Sequence, residues 1–461
     1  MRKIRTILGA TLAGACALAV VPGTASAAPV SAPLQKAAAL DDVTGAYYPV
    51  APARLLDTRT GVGAPVGKIG AGKTVDLQVA GRGGVPASGV GAVVLNVTVA
   101  GPSAASFLTA YPTGESRPTA SSINFAKGWL GSNNVTVKLP ANGKVSVFNN
   151  SGSTDVIVDV VGFYAGDNSL TNRNGGQYEW YLPERMWDSR EDPEGKPPAG
   201  QVLEYSLNFG EEYNPHVTSF VFNVTAVAPA KSGFLTAWSG KGARPTASTV
   251  NYLAGKNVPN LTFVQTTPCT GTELNEWCTK GAPKFHIYTS QAAHVLVDLV
   301  GVVDDGESAY GMRFAPLSPT RIVDSRSNLG ISGAIPAGGT RKVATPSELL
   351  TADTEVLAMN VTAVTPTNNT VITTWPADFD GIGKPATSNL NPYAGQVVSN
   401  GVLGVIGPND AFNVNNLSGS THLVADVVGT FYYPPASKAK SASSLKGGKA
   451  KPSAVPAANR S

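Results

Sequence analysis

The chain aligns with itself three times over nearly its whole length, and this self-similarity constrains the fold more than any single motif does. The first copy reads RLLDTR, VVLNVTV, SFLTAYP, RPTASSINF, NVTVKL, KVSVFNN and DVIVDVVGFY. The second reads ERMWDSR, FVFNVTA, GFLTAWS, RPTASTVNY, NLTFVQ, KFHIYTS and HVLVDLVGVV, and the third TRIVDSR, LAMNVTA, TVITTWP, KPATSNLNP, NGVLGVI, AFNVNNL and HLVADVVGTF. Asp57, Asp188 and Asp324 mark the starts, 131 and 136 residues apart, and Asp159, Asp298 and Asp426 mark the ends. Such a period is too long for a solenoid repeat and matches an independent small domain.

Each copy divides into about eight short apolar runs separated by Gly, Pro, Asn and Ser, the pattern of an all-β unit. The 50 Gly and 34 Pro of the chain supply those turns, and no amphipathic helical stretch competes. Within VVLNVTV, Leu95, Val97 and Val99 share one face of an extended strand while Asn96 and Thr98 take the other. The expected fold is therefore all-β, three tandem β-sandwich-like domains of about eight strands each. A six-bladed β-propeller formed by three double-blade repeats is the alternative.

The expected boundaries are a signal peptide at 1–27, a linker at 28–44, repeat domains at 45–165, 178–305 and 310–434, and a basic disordered tail at 435–461. The first 27 residues carry Arg2, Lys3 and Arg5, then an apolar run, then Ala25-Ser26-Ala27, the order of a secretory signal. The expected location is thus secreted, extracellular or loosely associated with a cell wall. No later stretch is long and apolar enough to span a bilayer as a helix. Net charge is +4, but removing the three cations of residues 1–27 and the six of residues 438–461 leaves −5 for the remainder. A nucleic-acid-binding domain would carry its cations on a folded face, so no nucleic-acid partner is expected.

The combination of RLLDTR, VVLNVTV, RPTASSINF and DVIVDVVGFY resembles a tandem repeat domain of secreted proteins from actinobacteria of the Streptomyces type. The resemblance covers all three copies, most closely the first; the second departs most, with Trp187 in its opening motif and a cysteine-bearing insertion. It implies an accessory, surface or glycan-binding role and no particular catalytic chemistry.

Motifs for chemistry are scarce. GxSxG, HExxH and GxxxxGK[ST] are absent, and His216, His286, His294 and His422 do not cluster in sequence. The expectation is a non-catalytic protein without a cofactor or metal. Cys269 and Cys278 lie in PCTGTELNEWCTK, where the first copy has a tight turn, and in an exported chain they are expected to form a disulfide. That loop would either stabilise the hairpin or present Glu273, Glu276 and Trp277 as a binding tip.

The candidate ligand sites follow the fourth strand of each copy. Tyr111, Trp238 or Trp375 is followed by Arg117, Arg244 or Lys384, then by Asn124, Asn251 or Asn391. An aromatic face stacks on the C–H face of a sugar while cation and amide fix hydroxyls, so the expected ligand is a carbohydrate or cell-wall polymer bound by three sites. The competing reading makes Tyr111 a core residue, and the competing function is a structural or interaction subunit that docks other extracellular proteins.

The opening motif is read differently. Asp159 lies between Ile157 and Val161 on its strand face, where an unpaired carboxylate is costly. The expected partners are the arginines of RLLDTR, giving a structural ionic network of Arg54, Asp57, Arg59 and Asp159. The repeats are Arg185, Asp188, Arg190 and Asp298 in the second copy, and Arg321, Asp324, Arg326 and Asp426 in the third.

Overall fold

A computed structural model of the protein describes residues 42–170, 175–273, 278–306, 311–351, 353–434 and 453–456. The expected signal peptide and most of the expected linker lie outside these residues. The first unit has eight strands: β1 Tyr47–Asp57, β2 Lys73–Gln78, β3 Val90–Ala100, β4 Ser106–Pro112, β5 Ile123–Phe125, β6 Leu130–Lys138, β7 Lys144–Asn149 and β8 Asp155–Ala165. They form two antiparallel sheets, β1-β8-β3-β6 and β2-β7-β4-β5. Leu95, Val97, Val99, Val158 and Val160 of the first sheet pack with Leu108, Ala110, Val145 and Val147 of the second in one apolar core. Two sheets packed face to face make a sandwich, so the propeller alternative does not hold.

The other two units repeat this plan. In the second, Val258–Gln265, Ser219–Val227, His294–Val303 and Tyr178–Asp188 form one sheet; Gly233–Trp238, Pro283–Thr289 and Val202–Asn208 carry the other. The short strand Thr267–Pro268 at the disulfide loop is extra. The third unit has seven strands, because the hairpin after Ile372–Pro376 returns through a single bridge, Ile372 to Leu390, where a β5 equivalent would lie. Of the tail expected to lack structure, Ser453–Pro456 pairs antiparallel with Val202–Asn208, adding a strand to an otherwise open sheet edge. The rest of the tail lies outside the described residues.

The three units are not beads on a string. Each turns the β3 face that carries Asn96 and Thr98 toward its neighbours, and the chain closes into a ring of three. At one end the seams are apolar: Tyr47 meets Phe263, Tyr178 meets Phe431 and Tyr164 meets Phe314, at centroid separations of 4.9, 4.7 and 4.2 Å. Backbone bridges run in the same cyclic order, Tyr47 to Gly176, Tyr178 to Met312, and Phe314 N–H to the Gly45 carbonyl. Gly45 is required there: at φ 77°, an added Cβ would lie 2.5 Å from the Phe314 carbonyl.

Further along the seams the packing turns polar, and an asparagine does the same work three times. Asn260 donates to the Asn96 side chain and accepts from Asn134 N–H; Asn400 donates to Asn223 and accepts from Leu261 N–H; Asn133 donates to Asn360 and accepts from Gly401 N–H. The NVT asparagines then donate to the neighbour's hairpin, Asn96 to Ser248, Asn223 to Ser388 and Asn360 to Ser121. All six side chains are buried or nearly so, and a buried amide left unpaired is costly, which makes the polar seam specific in register.

Candidate functional site

The RLLDTR motif ends β1, and Arg54 sits directly across from Asp159 of β8. The guanidinium grips Asp159 with two hydrogen bonds, Nε to Oδ1 at 2.9 Å and Nη2 to Oδ2 at 3.2 Å, and reaches back to Asp57 at 3.2 Å. Arg59 holds Asp57 in the same two-pronged way, at 2.9 and 2.8 Å. The second unit repeats the chain through Arg190, Asp188, Arg185 and Asp298, and the third through Arg326, Asp324, Arg321 and Asp426. Each network joins the first and last strands of its unit.

Two kinds of carboxylate coexist in it. Hydrogen bonds from Arg59, Arg190 and Arg326 hold Asp57, Asp188 and Asp324 below the ordinary carboxylate range, Asp188 down to about 2. Burial pushes Asp159, Asp298 and Asp426 up, against the pull of their arginines. The neighbouring unit helps to keep the inner carboxylate charged: Ser248 N–H donates to Asp159 at 3.4 Å, and Arg54 donates to the Thr246 carbonyl at 3.3 Å. The clasp of one unit is thus also a socket for the next unit's hairpin.

That hairpin contains the candidate ligand residues, and the structure separates them. Asn124 and Asn251 enter the seams, where they donate to Thr362 and Thr98 of the adjacent units; Asn391 accepts from Ser388 in its own hairpin. The aromatic and the cation stay on the outward face of the outer sheet. Tyr111 and Trp375 are half-buried there, whereas Trp238 is only 6% exposed and its indole N–H has no hydrogen-bond partner among the described residues. Arg117 and Arg244 are exposed and stack on other rings, Phe148 at 3.8 Å and Tyr288 at 3.6 Å; Lys384 instead donates to Asn415 at 3.3 Å. Phe148 pairs with Thr109, two residues before Tyr111 on the same face, so the ring that carries Arg117 shares a face with Tyr111. Two of the three expected components are therefore together, and Asn124 and Asn251 serve the seam. Phe148 and Tyr288 were legible as candidates, because they occupy equivalent positions in KVSVFNN and KFHIYTS.

The histidines remain apart. His294 and His422 each bond a buried serine, Ser189 and Ser325, at 3.1 and 2.9 Å. The first unit has Thr58 and Asp155 in those places, so these contacts belong to the shared plan of the repeat. His286 lies edge-on to Trp238, and His216 meets Asp305. Cys269 and Cys278 are bonded to each other, as expected, and Glu273 folds inward onto Thr270, Gly271 and Lys284. Glu276 and Trp277 lie outside the described residues.

No family model and no curated protein matches the chain. Among solved structures it is similar to a protein from "The Triple Jelly Roll Fold and Turret Assembly in an Archaeal Virus", at 8% identity over 84% of this chain and 90% of that one, with a TM-score of 0.17. It is also similar to one from "X-ray structure of the entire lipid-containing bacteriophage PM2", at 8% identity over 79% and 98%, with a TM-score of 0.13. Scores this low align strands without a shared arrangement.

Proposed function

We propose that the protein is a secreted, non-catalytic glycan-binding protein that uses the outward faces of its three outer sheets. The observation that supports this is the exposed guanidinium stacked on a ring of the outer sheet, buried Phe148 under Arg117 and half-buried Tyr288 under Arg244. Stacking holds the planar group flat and leaves its N–H edge free to grip paired hydroxyls, while in the first unit half-buried Tyr111 supplies apolar surface nearby. Lys384 and Trp375 form a weaker version in the third unit.

The ring arrangement changes what three sites can do. The inner sheets face the shared axis, so the outer faces point away from it and from one another. Three divergent sites cannot all meet one flat surface, and they cross-link separate chains rather than add avidity on one. The full-length protein should therefore precipitate a multivalent cell-wall glycan. An Arg117→Ala/Arg244→Ala/Lys384→Ala variant, altered only at exposed positions, should lose about tenfold in affinity, about 1.4 kcal/mol. Unchanged binding on a glycan array would refute the site. A stoichiometric protein co-purifying from culture supernatant, with no glycan retained, would favour the assembly-subunit reading instead.

A further inference from the structure

The loops leading into β6 and its two equivalents converge where the polar end of the three seams reaches the surface. There a pocket is lined by Trp129 of the first unit, Lys256 and Asn257 of the second, and Asn391, Tyr393 and Gln396 of the third. The strands that follow, Leu130–Lys138, Val258–Gln265 and Val397–Val405, pack against one another around the axis, so the pocket exists only when the ring is closed.

The three units differ in sequence at this pole. Five residues beyond Asn124, Asn251 and Asn391, Trp129, Lys256 and Gln396 occupy one repeat position, whereas four residues later all three units keep the seam asparagine, Asn133, Asn260 and Asn400. Trp129 is matched by Gly131, where an added Cβ would lie 2.2 Å from the indole ring; the other units have Val258 and Val398 there. The glycine lets the indole lie flat on its strand, stacked near Phe125. Tyr393 is fixed by two bonds to the second unit's turn, accepting from Asn257 N–H at 2.7 Å and donating to the Gly255 carbonyl at 3.3 Å. The Lys256 ammonium sits 4.2 Å from the Tyr393 ring centroid.

Two anchored aromatics, the amides of Asn257, Asn391 and Gln396 and one ammonium form a set suited to a pyranose ring bearing a negative charge, and among the described residues no Asp or Glu lines the pocket to oppose that charge. We infer that this pole is a single, asymmetric site, one per chain, for the terminal residue of an acidic saccharide of the uronate type. Trp129 stacks on the sugar, the amides take its hydroxyls and Lys256 takes the carboxylate. The inference rests on the glycan-binding reading but uses none of the outward-face residues.

Titration calorimetry on the full chain tests it, with an oligosaccharide ending in glucuronic acid and its counterpart ending in glucose. The expected result is one site per chain with at least fivefold preference for the acidic probe. Trp129→Ala and Gly131→Ala should each weaken binding tenfold or more, the second by displacing an intact indole. Lys256→Met, at an exposed position, should abolish the preference while keeping the neutral probe bound. The Arg117→Ala/Arg244→Ala/Lys384→Ala variant should leave this site unchanged. Absence of binding to the acidic probe, equal affinity for both probes, or binding indifferent to Trp129→Ala and Lys256→Met would overturn the inference. If the outward-face variant alone lost glycan, the pole assignment would fail while the broader proposal stood.

Discussion

Asp159→Asn should lower the thermal stability of all three units together, by about 3 to 5 kcal/mol, the usual cost of removing one partner of a buried ion pair. The carboxylate is fully buried and accepts two hydrogen bonds from Arg54 and one from Ser248 N–H. An amide in its place turns N–H groups toward a guanidinium that has none to accept. Because Ser248 belongs to the second unit, damage in the first is transmitted across the seam. A thermal melt followed by near-ultraviolet circular dichroism should show one lowered transition. A melt unchanged in midpoint would show that the clasp contributes nothing. Replacing both partners, Arg54→Met with Asp159→Leu, should recover most of the loss, since a well-packed apolar pair avoids the desolvation cost of the ionic one.

Asn260→Leu should be as damaging although it removes no charge. Asn260 is 0% exposed, and its amide serves three groups at once: it donates to the Asn96 side chain and to the Thr249 carbonyl, and accepts from Asn134 N–H. Leucine fills similar space but strands those three groups, at about 1 to 3 kcal/mol each. A loss of about 3 kcal/mol or more is expected in chemical denaturation, with matching losses for Asn133→Leu and Asn400→Leu, whose bonds are the cyclic equivalents. A loss confined to one of the three would mean that the seams are not equivalent.

Much of the architecture was legible because it depends on periodicity. The alternation in VVLNVTV placed Leu95, Val97 and Val99 in a core, and self-alignment picked out three copies of one all-β unit. The ionic clasp was legible for a different reason: a carboxylate between Ile157 and Val161 demands a cation, and the opening motif supplies two arginines in every copy. The ring was not legible. Asn96, Asn223 and Asn360 read as a moderately polar strand face, and an asparagine bonding a neighbouring domain has the same sequence signature as one bonding its own backbone. The hairpins misled for a related reason. Sequence proximity grouped Asn124 with Tyr111 and Arg117, but a β-hairpin sends its ends to different surfaces, and Asn124 faces the third unit. The pole pocket draws Trp129, Lys256 and Tyr393 from three distant segments, so no local pattern could assemble it.

The central claim is that three repeats fold as one closed body, held by apolar contacts at one end of the seams and asparagines at the other. Differential scanning calorimetry of the wild-type chain tests it most directly, by comparing the measured enthalpy with the van't Hoff enthalpy of the transition. A single transition with the two enthalpies equal is the predicted result. Separable transitions, or a measured enthalpy about three times the van't Hoff value, would mean that the units melt independently and would contradict the closed ring.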